Sequence, residues 1–148
     1  MKITGITFEA IRDILAQGYW EQKITAEYWD KNAIQFPNEV AVADVKGSLT
    51  WAQVKEQAEN LALRLLDLGV KRDEVMLFQL PNWVEFIVAR LACIKAGILS
   101  CQPAVTLRHE EMGHILKITK AVGVAIPRQF RNFDYFKMIS SLGRISLT

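Results

Sequence analysis

Cysteine is scarce: Cys93 and Cys101 are the only two among 148 residues. Two thiols cannot staple a small secreted fold or complete a zinc knuckle, so a reduced, cytoplasmic setting is the expectation. Net charge is nearly absent as well. The 18 Lys and Arg residues against 16 Asp and Glu leave +2, and no basic block is long enough to line a nucleic-acid groove. Long hydrophobic runs are missing, since the most apolar stretch, Phe86 to Ser100, is interrupted by Arg90 and Lys95. Glu9, Arg12 and Asp13 break up the N-terminal region, so no secretory signal is expected. The eight glycines are scattered, with no G-x-G-x-x-G, no G-x-x-x-x-G-K-[ST] and no G-x-S-x-G among them. Phosphate cradles and the serine nucleophile elbow are thereby excluded.

What is present is apolar periodicity. Hydrophobic residues make up 51% and charged residues 23%, a balance that builds a packed core in a chain of this length. Phe8, Ile11, Ile14 and Leu15 recur at helical spacing over residues 7–17, with Thr7 as N-cap and Gly18 as stop. A second helix is expected over residues 26–35, capped by Thr25 and ended by Pro37. Residues 40–45 and 48–50, joined through Lys46 and Gly47, fit a small hairpin. Thr50 and Gln53 form a capping box ahead of a helix with an apolar face of Val54, Ala58, Leu61, Ala62, Leu65 and Leu66, stopped by Gly69.

From residue 75 strands and helices alternate. Strands are expected over 75–79, 98–102 and 122–126, with helices over 83–96 and 108–120 between them. Apolar runs without alternation suit strands covered on both faces, and each crossover has room for one helix. The expected fold class is therefore α/β: an open, mainly parallel, doubly wound sheet with helices on both faces and consecutive strands side by side. Three parts follow: an N-terminal helical segment at 1–36, the α/β unit at 37–127 and a tail at 128–148. The tail carries Phe130, Phe133, Tyr135, Phe136 and Met138, with a short helix expected over 134–142.

One segment invites a metal reading. His109 and His114 flank Glu110 and Glu111 in the manner of a zinc-protease helix. Histidines that share an ion on a helix stand four apart, about 40° around the axis; a spacing of five separates them by about 140°. No metal site is expected. The segment reads as a solvated helix face whose early acidic residues suit the dipole.

Several stretches taken together carry a resemblance. They are Phe36-Pro37-Asn38-Glu39-Val40-Ala41-Val42, Leu49-Thr50-Trp51-Ala52-Gln53-Val54 and Leu66-Asp67-Leu68-Gly69-Val70-Lys71-Arg72-Asp73-Glu74-Val75. After them come Gln79-Leu80-Pro81-Asn82-Trp83-Val84-Glu85-Phe86 and Cys93-Ile94-Lys95-Ala96-Gly97-Ile98, then Arg108 and Glu111. Their order and spacing over residues 18–127 resemble the start of the adenylate-forming (AMP-binding) superfamily, which includes acyl-CoA synthetases of fatty acid metabolism and aryl-acid AMP ligases. Gly18-Tyr19-Trp20 and the stretch from Ile126 to Tyr135 are similar to the branches acting on cyclic acids, the dihydroxybenzoate-AMP ligases and cyclohexanecarboxylate-CoA ligases.

The resemblance implies a two-step reaction: a carboxylic acid attacks ATP to give an acyl-adenylate and pyrophosphate, then the thiol of CoA or a carrier displaces AMP. It also implies ATP, Mg and CoA for a complete enzyme. The family's Ser/Thr/Gly-rich phosphate loop, its ribose-binding Asp and its C-terminal Lys have no counterpart in these residues. The expectation is thus an N-terminal fragment, truncated before the catalytic motifs and inactive alone, with no cofactor and no catalytic residue of its own. The alternative is a stand-alone assembly module that docks a separate catalytic chain. Pro81-Asn82 reads as a strand-to-helix turn. Some members place a basic side chain near the start of the helix after Pro103, within reach of CoA phosphate. Thr106 stands at that position and Arg108 two residues on, so Arg108 is the candidate CoA contact, with a surface pair to Glu111 as its other reading. An unpaired sheet edge and the aromatic tail are expected to drive self-association.

Overall fold

The computed structural model describes residues 7–143. Helix α1 (Phe8–Ala16) is capped by Thr7, whose hydroxyl accepts from the Ala10 N–H at 3.2 Å. Helix α2 (Thr25–Gln35) includes Thr25 as its first residue, so the expected cap falls one position late. Ile24 takes the N-cap place with an extended backbone but has no side-chain acceptor. Glu27 supplies the local bond instead, its carboxylate accepting from the Ile24 N–H at 3.0 Å.

Strands β1 (Val40–Ala43) and β2 (Ser48–Thr50) form the antiparallel hairpin. Helix α3 (Trp51–Asp67) leaves β2 through the capping box read from the sequence. Gln53 N–H donates to the Thr50 hydroxyl at 3.3 Å, and Thr50 N–H donates to Gln53 Oε1 at 2.9 Å.

The alternating region follows: β3 (Val75–Phe78), α4 (Val84–Ala96), β4 (Leu99–Cys101), α5 (His109–Thr119) and β5 (Gly123–Ala125). The three strands are parallel, in the order β4-β3-β5. β5 therefore pairs with β3 and not with its predecessor β4, which corrects the expectation of consecutive neighbours. The cause is handedness. A right-handed crossover over one face moves the chain one way along the sheet, and over the opposite face it moves the chain back.

Side-chain alternation on β3 shows that both faces are covered. Met76 and Phe78 pack with Leu65 of α3 and with Ala89 and Cys93 of α4. Leu77, between them, points the other way into a cluster with Met112 of α5. Helix α4 carries few polar residues because it is itself buried under α3, where Val54 and Ala58 meet Val88 and Leu91. Lys95 ties this layer together, its ammonium 2.6 Å from Asp30 on α2 and 3.3 Å from Glu59 on α3.

The last described elements are β6 (Gln129–Phe130), β7 (Phe133–Asp134) and α6 (Tyr135–Ser141). Tyr135 and Met138 are buried in the same cluster as Leu77 and Met112, so the aromatic tail packs onto the sheet. Of its large apolar residues, Phe136 remains exposed. Among the described residues, β4 and β5 each have β3 as their single strand neighbour.

Candidate functional site

In a parallel sheet the loops after the strands gather at one end, and where the strand order reverses they part to leave a crevice. The order β4-β3-β5 reverses at β3. A groove of about 360 Å³ opens there, a volume that suits part of a small ligand. Leu80, Pro81, Asn82 and Phe86 form one side, Gln102 to Val105 the facing side, and Phe130 with Arg131 close the end. An apolar recess of about 240 Å³ shares Asn82 and Phe86 and reaches Val42 and Ala43 of β1.

The first wall is the turn that the sequence marked with Pro81 and Asn82. It is fixed by a residue distant in sequence. Asp44, in the β1–β2 turn, accepts from the Val84 N–H at 2.9 Å and so caps α4, whose own N-cap residue Trp83 has no acceptor. The same carboxylate accepts from the Lys46 and Gly47 N–H groups. The Val84 bond first, and the turn amides after it, hold the Asp44 carboxyl below the usual carboxylate range. Lys46 then lies 3.4 Å from the Trp83 ring centre, and Trp83 meets Phe130 edge-on at 5.6 Å, joining this wall to the end of the groove.

The facing wall is the turn Ala104–Leu107, closed by Leu107 N–H donating to Ala104 C=O at 3.1 Å. Its carbonyls are held from behind. Buried Gln79, directly after β3, donates its amide to Ala104 and Leu107 C=O, both at 3.0 Å. The Tyr135 hydroxyl donates to Val105 C=O at 2.8 Å. The Gln79 side-chain oxygen is buried without a partner. Its orientation is nonetheless fixed, because the reversed amide would point an oxygen at two carbonyls.

Arg131 is the cation that lines the groove. It and Asn132 form the two-residue β6–β7 turn with φ of 48° and 60°, the left-handed pair of a tight hairpin. Asn tolerates that conformation. An arginine there carries strain of about 1–2 kcal/mol, as Asp73 and Lys120 do at φ of 65° and 50° elsewhere in the chain.

Arg108 occupies the N-cap of α5 behind the Ala104–Leu107 turn. Its guanidinium donates to Val105 C=O at 2.7 Å and Leu107 C=O at 2.9 Å and stacks 4.0 Å from the Phe133 ring centre. Glu111 accepts from the Arg108 backbone N–H at 3.0 Å, which lowers its carboxyl pKa, so this link runs through the backbone. His109 and His114 are exposed on α5, and no cluster of three or more metal-type ligands occurs among the described residues. Gln79, Gln102, Arg131 and Tyr135 were not singled out as site residues by the sequence. For Gln79 and Gln102 the usable signal was positional, each directly following a parallel strand; Arg131 in the antiparallel β6–β7 turn and Tyr135 at the start of α6 carried none.

The family model for AMP-binding enzymes matches residues 29–142. A salicylyl-CoA synthase / salicylate adenylyltransferase of Streptomyces is 34% identical over 127 residues, covering 86% of this chain and 22% of the relative. The medium-chain fatty-acid–CoA ligase of Escherichia coli K12 is 34% identical over 134 residues, covering 88% of this chain and 24% of the relative. The apo structure of Mycobacterium smegmatis MbtA superposes with a TM-score of 0.74 at 28% identity, over 82% of this chain and 23% of that one. The chain thus spans under a quarter of the length of these relatives.

Proposed function

Since this chain belongs to the AMP-binding enzyme family, we propose that it forms the N-terminal α/β portion of an ATP-dependent, AMP-forming carboxylic acid ligase. The observation that carries the reading is the match running almost the length of this chain yet under a quarter of each relative. In that enzyme the acid carboxylate attacks ATP, pyrophosphate leaves, and a thiol displaces AMP from the acyl-adenylate. Catalysis of this kind is mostly positioning and charge stabilisation. Residues 7–143 contribute positioning: a rigid parallel sheet and the groove at its carboxyl end. ATP, Mg and the thiol cofactor belong to the whole enzyme, and these residues alone do not adenylate an acid.

Within this reading the thiol cofactor's phosphate end meets the groove through Arg131. Arg131 lines the cleft in a strained conformation, while Arg108 is turned into the turn behind it. An aryl or medium-chain acid is the substrate class, on the strength of two relatives whose names specify salicylate and medium-chain fatty acid. Reading the coding DNA past codon 148 in all three frames tests the proposal. A Ser/Thr/Gly-rich phosphate loop ending in Lys is expected downstream, and no such loop in any frame would overturn it.

A further inference from the structure

Three side chains from three separate elements converge on one short turn. Gln79 comes from the end of β3, Arg108 from the cap of α5 and Tyr135 from the first turn of α6. Between them they deliver five hydrogen bonds to three carbonyls, those of Ala104, Val105 and Leu107. Val105 C=O is shared by Arg108 and Tyr135, and Leu107 C=O by Arg108 and Gln79. Arg108 is therefore the member common to both shared acceptors. Its planar group also stacks on Phe133, which binds the turn to the β6–β7 hairpin at the groove's end. Gln102, Pro103, Ala104 and Val105, in and just before this turn, make the groove wall. The guanidinium is spent on it from the rear.

We propose that Arg108 is a positioning residue for this groove: its two Nη1 bonds and its place over the Phe133 ring fix the turn Ala104–Leu107, so its contribution runs through the shape of the wall and not through its charge. The inference rests on the groove being the working surface proposed above. Both bonds leave Nη1, one atom farther along the side chain than a lysine Nζ, and the delocalised group over Phe133 has no counterpart in an ammonium, so lysine cannot reproduce both. A residue that met a ligand phosphate by charge would be replaceable by lysine and would leave the turn unchanged.

Amide hydrogen exchange of the full chain, read residue by residue by NMR without any ligand, separates these cases. The probe is the Leu107 N–H, which closes the turn onto Ala104 and whose intrinsic rate does not depend on residue 108. Arg108→Lys and Arg108→Met are both expected to speed its exchange about tenfold or more, with Leu77 in the sheet unchanged. Tyr135→Phe, which leaves the ring packing intact, should give a smaller acceleration at the same amide. Parental exchange at Leu107 in Arg108→Lys would overturn the proposal, as would equal acceleration at Leu107 and Leu77. Because no substrate is involved, failure here leaves the ligase reading standing, and failure of the ligase reading leaves this measurement intact.

Discussion

Gln79 offers the sharpest stability test, because its buried amide is half satisfied. Both of its N–H bonds are made while its carbonyl oxygen has no partner. Gln79→Met keeps the side chain's length and removes every polar atom at once. Neither acceptor is stranded: Ala104 C=O keeps the Leu107 N–H, and Leu107 C=O keeps Arg108. Losing two ordinary bonds costs about 1–3 kcal/mol, and relieving a buried unpaired carbonyl returns about 1–3 kcal/mol. The variant should therefore lie within about 1 kcal/mol of the parent in urea denaturation, with an unchanged m-value. Leu77→Ala, at a fully buried site on the same strand, provides the scale, at about 3–5 kcal/mol. A loss above about 2 kcal/mol for Gln79→Met would refute the reasoning, since the oxygen would then have to be bonded in solution.

Other expectations follow from the same geometry. Asp44→Asn should lower the thermal midpoint at neutral pH and flatten its acid dependence. A carboxyl held below its ordinary 3.8 stabilises the fold above that value and loses its contribution as pH falls through the lowered one, so parent and variant should converge on acidification. Gly123→Ala would place a methyl 2.6 Å from the Met76 sulfur, but that sulfur is the far end of a flexible side chain that can shift, so the variant should stay within about 1 kcal/mol of the parent in chemical denaturation. Cys93, fully buried with its thiol pushed up to about 11, should resist alkylation in the native state, and mass spectrometry should show it labelled only on unfolding. Arg131→Gly should match or exceed the parent's stability by about 1 kcal/mol in the same denaturation assay, as left-handed strain is released.

Much of the fold was legible because local and global signals agree. The Thr50–Gln53 capping box, the stops at Gly69 and Gly97 and the unbroken apolar strands each state their role within a few residues. The order of the strands was not legible, because it depends on which face each helix covers. That is settled by the partners of Met76, Leu77 and Phe78, far apart in sequence. The Thr25 cap missed by one residue: Glu27 accepts from the Ile24 N–H, the half of a capping box that needs no hydroxyl at the cap position. At the candidate site the sequence marked Pro81-Asn82 and Arg108 but not their supports. Asp44 reaches across 40 residues to cap α4, and Tyr135 reaches across 30 to hold Val105. No periodicity encodes such contacts.

The measurement closest to the central claim is ATP–pyrophosphate exchange by the purified 148-residue chain, with Mg and a panel of aryl and medium-chain carboxylic acids. The expected result is exchange at the no-enzyme background for every acid, because these residues supply the scaffold and its groove without the nucleotide motifs. Acid-dependent exchange above that background would contradict it and would place adenylation within residues assigned here to positioning alone.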